Sequence, residues 1–229
     1  MELYSYIDSN YLKGERNIIS LTGGGGKTTF LIGLSCFLKN KGKSVLLTTT
    51  TKLIRPEKLD YKVDHIFYER DSVLNYKPKK GESVFYAKLL DERKCCSIDP
   101  SDIELLSHLY DVIIIEADGA AFLPLKLHTQ KDQVVVKETT LTVMIMGASG
   151  FERRVEDVCF GSCKEGLADF SFYQALIDDS EGVLKASRGD GVVIINQCDE
   201  FSYEELLNLK CRYRLLFASE REDSIYEVV

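Results

Sequence analysis

Residues 19–30 read ISLTGGGGKTTF. Four consecutive glycines stand between an apolar run and the start of a helical pattern, and Lys27, Thr28 and Thr29 follow them. Such a run is unfavourable to order, because glycine loses more backbone freedom on folding than any other residue. A phosphate-binding loop gives it a purpose. Backbone N–H groups must turn into one concavity there, and glycine lets the chain take that shape and come close to the anion. A lysine then reaches the β/γ-phosphates, and the adjacent hydroxyl holds Mg²⁺. Gly23, Gly24, Gly25 and Gly26 are therefore the candidate cradle, continued by Lys27, Thr28 and Thr29. Lys27 is the candidate catalytic cation and Thr28 a candidate metal ligand. The common spacing G-x-x-x-x-G-K-[ST] would put its first glycine at Leu21. The shorter G-x-x-G-K-T-T found here also resembles the ATP loops of Mur ligases and folylpolyglutamate synthetases.

The surroundings support this reading. Residues 17–21 are a β-branched run of the buried-strand kind. Over 27–41, Phe30, Leu34, Phe37 and Leu38 recur at i, i+4, i+7 and i+8, which is one face of a helix. Gly42 is a plausible stop, and 44–50 reads as the next strand. Strand, glycine loop, helix and strand make a βαβ unit with a parallel pair. Further buried strands are expected at 111–119, 141–147 and 191–197, with a last one at 212–219. Helices are expected at 100–109, through most of 166–187, and at 202–210. The expected fold is α/β: a three-layer, P-loop NTPase-like architecture with a mainly parallel central sheet. One domain over 1–229 accounts for the length, with a β-rich peripheral insertion at about 55–98.

Composition narrows the function. Apolar residues make up 45% and charged residues 28%, the proportions of a soluble globular protein. A net charge of −7 disfavours nucleic-acid binding, which needs a basic face. No apolar run approaches the length of a membrane span. The start, MELYSYIDSNYLKGER, lacks the basic and apolar regions of a signal peptide. Seven cysteines, an odd number, fit a reducing cytoplasm better than a disulfide framework.

Two further strand ends carry chemistry. YDVIIIEADGA (110–120) closes an apolar strand with Glu116, Asp118 and Gly119, at the sheet edge where open α/β folds bind ligands. Either carboxylate could complete a Mg²⁺ site with Thr28 or orient an attacking water. Glu116, directly after the apolar run, is the nearer candidate. VVIINQCDE (192–200) resembles the N-K-x-D element of GTP-binding proteins, with Asn196 and Asp199 as base readers and Gln197 in place of the lysine. Guanine is suggested and weakened by that replacement, so the ligand is expected to be GTP or ATP.

Taken in order, LTGGGGKTT, LLTTTTK (46–52), EADGA (116–120), LPLK (123–126) and INQCD resemble the YqeC family. That family is described as accessory proteins for selenium-dependent molybdenum hydroxylases. The resemblance implies a P-loop fold of the SIMIBI class. It also implies a protein partner, either the molybdenum hydroxylase or its cofactor carrier, and a homodimer is compatible with it. The family's usual Pro-Ala-x-His-Glu-Pro run after PLK is LHTQKDQ here, and His128 falls three positions early, so no role is carried onto it.

Threonines 48–51 are either strand formers and caps or ligands of Mg²⁺ and phosphate. Lys126 is either a solvated lysine or a second phosphate contact. The pairs Cys95–Cys96 and Cys159–Cys163 lack a zinc-site spacing and read as free thiols. Two other functional classes compete with an NTPase. One is a Mur-like ligase or kinase core, although such ligases carry acceptor domains for which 229 residues leave no room. The other is a nucleotide-sensing module without useful turnover.

Overall fold

The computed structural model describes residues 1–14, 16–129, 132, 135–162 and 164–229. The chain opens with α1 (Leu3–Tyr11), β1 (Asn17–Gly23), α2 (Lys27–Asn40), β2 (Val45–Thr49), β3 (Leu53–Ile54), β4 (His65–Phe67), α3 (Arg70–Asn75) and β5 (Ser83–Tyr86). It continues through β6 (Lys88–Leu89), β7 (Lys94–Cys96), α4 (Pro100–Leu106), β8 (Val112–Glu116), β9 (Leu125–Lys126) and β10 (Leu141–Gly147). It ends with α5 (Val155–Val158), β11 (Cys159–Phe160), α6 (Phe170–Asp178), β12 (Asp190–Asn196), β13 (Arg214–Ser219) and β14 (Ser224–Val228).

Every residue of β1, β2, β8 and β10 is buried. A strand apolar along its whole length must be covered on both faces. The sheet answers that need: its order is β14-β13-β12-β10-β1-β8-β2-β5-β4, parallel except for β14 against β13. On one face, Ile19 and Leu21 of β1 pack with Phe30, Leu31, Leu34 and Leu38 of α2 and with Leu3 and Ile7 of α1. Each such fully buried side chain contributes roughly 1.5–3 kcal/mol relative to exposure. On the other face α6 covers β10, β12 and β13 through Phe172, Tyr173 and Leu176, while Ile103 and Leu106 of α4 cover β8 and β2. These are the three layers expected.

The β-rich segment divides. β5 and β4 extend the main sheet beside β2. β3, β7 and β6 form a separate three-stranded antiparallel sheet. Two expected helices are shorter than their patterns. The 166–187 stretch is helical only over α6, and 202–210 holds a 3₁₀ turn at Glu204–Asn208. The chain leaves α6 at Asp179, which is extended (ψ 137°), and Gly182 then turns back so closely over the helix end that a Cβ there would stand 1.9 Å from the Leu176 carbonyl oxygen. α1 and β14 were not anticipated; they join through backbone bonds from Leu3 to Asp223 and from Ile225 to Met1.

Candidate functional site

The central position of β1 sets the site. β10 pairs on one side of it and β8 on the other, so the C-terminal ends of three parallel strands surround the glycine loop. α2 begins at Lys27, directly behind the loop. Its first amides have no intrahelical partner. Among the described residues, the N–H groups of Gly26, Lys27, Thr28 and Thr29 find no acceptor. The helix dipole adds partial positive charge at the same place.

The loop is also locked from below. Gly23 donates to Asp118 Oδ2 at 2.9 Å, Gly24 to the Ile145 carbonyl at 2.9 Å, and Gly25 to the Leu123 carbonyl at 3.1 Å. The amides left open therefore begin at Gly26, later than the sequence suggests. Glycine is needed for a second reason as well. Gly23 has φ +96°, and a Cβ on it would stand 2.1 Å from the Ile145 carbonyl oxygen. Gly25 has φ +72°, and its Cβ would meet the Gly147 nitrogen at 2.4 Å.

The two carboxylates of EADG part company. Asp118 Oδ1 pairs with Lys27 Nζ at 2.9 Å, and Oδ2 takes the Gly23 amide and His128 Nε2 at 2.7 Å. Lys126 Nζ lies 3.9 Å away. Burial alone would raise the Asp118 carboxyl. Lys27, the His128 hydrogen bond and Lys126 together outweigh burial and hold it well below the usual carboxylate range. Lys27 also donates to the Gly23 carbonyl. Glu116 is different. It accepts from Thr28 Oγ1 at 2.8 Å, and burial raises its pKa, only partly opposed by Lys27 and Thr28. It is thus a buried carboxylate short of positive charge, beside a hydroxyl, facing a cavity of about 820 Å³ that the open amides also line.

Lys126 is not a solvated lysine: it is buried and donates to the Gly119 carbonyl at 2.6 Å and to Asp132 at 2.8 Å. His128, left without a role by the sequence, is a central element. It is buried, with Nδ1 2.8 Å from the Gly182 carbonyl and Nε2 on Asp118. Its two-residue spacing from Lys126 was a usable signal only once a common acidic partner was known.

Asn196, 1% exposed, donates to the Gly25 carbonyl at 2.7 Å and accepts from the Glu220 amide at 3.0 Å. It clamps the glycine loop to the turn after β13. Gln197 is in the left-handed region and accepts from Ser149 at 2.6 Å. Asp199 pairs with Arg221 at 2.8 Å. The threonines that end β2 tie it to its neighbouring strands: Thr48 donates to the Tyr86 carbonyl at the end of β5 and Thr49 to the Glu116 carbonyl at the end of β8. Thr50 and Thr51 line the cavity. Cys95 pairs with Leu53 in the small sheet, and Cys159 lies in β11; Cys163 lies outside the described residues. The described cysteines are free thiols. No described group of three or more His, Cys, Asp or Glu is placed to hold a metal, and no described helix is long and apolar enough to cross a membrane.

A parallel sheet whose central strand ends in a glycine loop, with a lysine opening the next helix and an acidic neighbouring strand end, defines a P-loop NTPase-like α/β protein. The chain belongs to the YqeC family, whose model, described as YqeC protein, matches residues 19–162. It is 29% identical over 137 residues to the uncharacterized protein YqeC of Escherichia coli (strain K12). That match takes in 57% of this chain and 51% of the relative, so it spans about half of the relative's length. Among solved structures, HypB from Helicobacter pylori in complex with nickel aligns with a TM-score of 0.45 at 16% identity, over 96% of this chain and 86% of that one.

Proposed function

We propose that this protein binds a Mg²⁺-complexed nucleoside triphosphate, ATP or GTP, and hydrolyses it as an accessory step in maturing a selenium-dependent molybdenum hydroxylase in the cytoplasm. The observation that carries the nucleotide part is the convergence of the open Gly26–Thr29 amides, Lys27, Thr28 and Glu116 on one cavity. The maturation role is supported by the family motifs.

Hydroxyl and carboxylate oxygens are the donors a hard divalent cation takes. Thr28 and Glu116 would hold Mg²⁺, and the shortage of positive charge around the buried Glu116 fits that ion. When bound, the metal neutralises charge on the phosphate oxygens. The chain's own groups do the rest. The amides orient the phosphate tail, and Lys27 swings between Asp118 and the β/γ oxygens. Asp118, paired with Lys27 and bonded to the Gly23 amide and His128, holds Lys27 in aim instead of binding metal. Positioning and charge stabilisation supply most of the rate in such chemistry.

Glu116→Gln separates the metal role from a structural one. It removes a buried charge while keeping an acceptor for Thr28. Because the Glu116 pKa is raised in the fold, its ionised form opposes folding above that pKa. The ligand-free variant is expected to melt higher than wild type near neutral pH. Its nucleotide affinity should no longer respond to Mg²⁺. Calorimetric titration with and without Mg²⁺, beside a thermal melt, reads both; a Mg²⁺ response like wild type rejects the assignment.

The base is read, in this proposal, on the β12 side of the loop. Asp199→Asn is expected to reduce any preference for GTP over ATP by roughly tenfold, the scale of one charged hydrogen bond. An unchanged ratio would remove Asp199 from base reading.

A further inference from the structure

The cavity continues well past the phosphate loop. From Gly25–Thr29 and Glu116 it runs between the small antiparallel sheet and the 119–123 turn, and is walled by Lys52, Leu53, Tyr61, Lys94, Phe122 and Phe160. Its volume of about 820 Å³ is that of a small-molecule site. Sheet order puts it on the far side of the loop from Asn196. β12 stands two strands from β1 in one direction, whereas Glu116 and Thr50–Lys52 follow β8 and β2 in the other. Asn196, Asp199 and Glu220 do not line it. A nucleotide laid toward β12 would leave this lobe free.

Three features give the lobe a chemistry. Tyr61 is 1% exposed, yet its hydroxyl has no hydrogen-bond partner among the described residues. Thr22 and Tyr110 carry the same kind of unpartnered hydroxyl, and the Tyr61 oxygen is closed off from the cavity, so Tyr61 adds an aromatic ring to the wall rather than a polar contact. Lys52 and Lys94 line the wall, and neither ammonium has an ion pair among the described residues. Ala121 and Phe122 are consecutive non-glycine residues in the left-handed region, at φ +47° and +65°, and Phe122 is 89% exposed beside the lobe. Such strain gathers at ligand clamps.

We infer that this lobe is a second ligand site for an amphipathic small-molecule anion: a carboxylate, phosphate or sulfonate held by Lys52 and Lys94, and an apolar body against Leu53, Tyr61, Phe122 and Phe160. Its position relative to the nucleotide rests on the glycine-loop reading; its lining does not.

8-Anilinonaphthalene-1-sulfonate, which joins a sulfonate to aromatic rings, is a suitable probe. Fluorescence titration of the full chain is expected to show saturable binding that persists with Mg²⁺ and excess ATP. Lys52→Ala/Lys94→Ala should weaken the probe by roughly tenfold. Lys43→Ala/Lys210→Ala, with the same charge change elsewhere on the surface, should match wild type, as should calorimetric ATP affinity in every one of these variants. Unsaturable binding, equal affinity in the Lys52/Lys94 and control variants, or displacement by Mg²⁺-ATP overturns the proposal. If wild type binds no nucleotide, the glycine-loop reading fails instead, and the probe affinities of the variants still decide the second site.

Discussion

Asp118→Ala is expected to destabilise the protein by about 3–5 kcal/mol, the usual consequence of removing one partner from a buried ionic cluster. Asp118 is the one acidic centre shared by Lys27, His128 and the Gly23 amide, with Lys126 close by. Without it, the Gly23 amide, Lys27 and His128 lose their common partner, and Lys126 loses a nearby counter-charge. For a domain of this size the melting temperature should fall by roughly 6–20 °C. Asp118→Asn keeps the shape and part of the hydrogen bonding, so its loss should be smaller. The acid limb offers a second test. The Asp118 pKa is depressed in the fold, so its contribution is complete above the unfolded value of about 3.9 and is lost as pH falls below it. The stability of Asp118→Ala should therefore decline less steeply in acid than that of wild type. Urea titrations across pH read both; equal stabilities would show that the cluster is not what holds the loop.

Lys27→Ala is expected to weaken triphosphate binding by at least about 100-fold, the equivalent of one or two charge-assisted hydrogen bonds. The lysine is at the first position of α2, 5% exposed, and held by the Gly23 carbonyl and Asp118. That arrangement stores a cation next to the open amides. Its removal also takes one partner from Asp118, so the variant must be compared below its own melting temperature. Calorimetric titration of ATP and GTP with Mg²⁺ on both proteins decides the matter. Wild-type affinity in a folded Lys27→Ala would reject the glycine loop as the phosphate site. Tight binding of one nucleotide, lost in the variant, would identify the base preference in the same experiment.

The pattern of residues was enough to place the sheet and the loop, because the signals are local. Continuous apolar runs at 17–21, 111–119, 141–147 and 191–197 match β1, β8, β10 and β12 within a residue or two at most ends. The Phe30, Leu34 and Leu38 spacing predicted the buried face of α2. GGGGKTT and EADG located the site because a phosphate loop and its acidic neighbour follow directly from strand ends. What escaped was non-local. α1 and β14 are held by each other, across more than 200 positions of sequence, and neither has a strong pattern of its own. Division of the 53–98 segment between two sheets depends on which strand edge each piece reaches.

At the site, the residues determined which chemistry could be present: a loop that admits an anion, a lysine, a hydroxyl and two carboxylates. Only the tertiary structure decided how these share the work. Glu116 and Asp118 are two residues apart and equivalent by composition. Partners from distant segments separate them, since Lys27, His128 and Lys126 converge on Asp118 while Glu116 has Thr28 and the cavity. A buried carboxylate takes its character from the charges the fold brings within a few ångströms, and that proximity is not written in spacing along the chain.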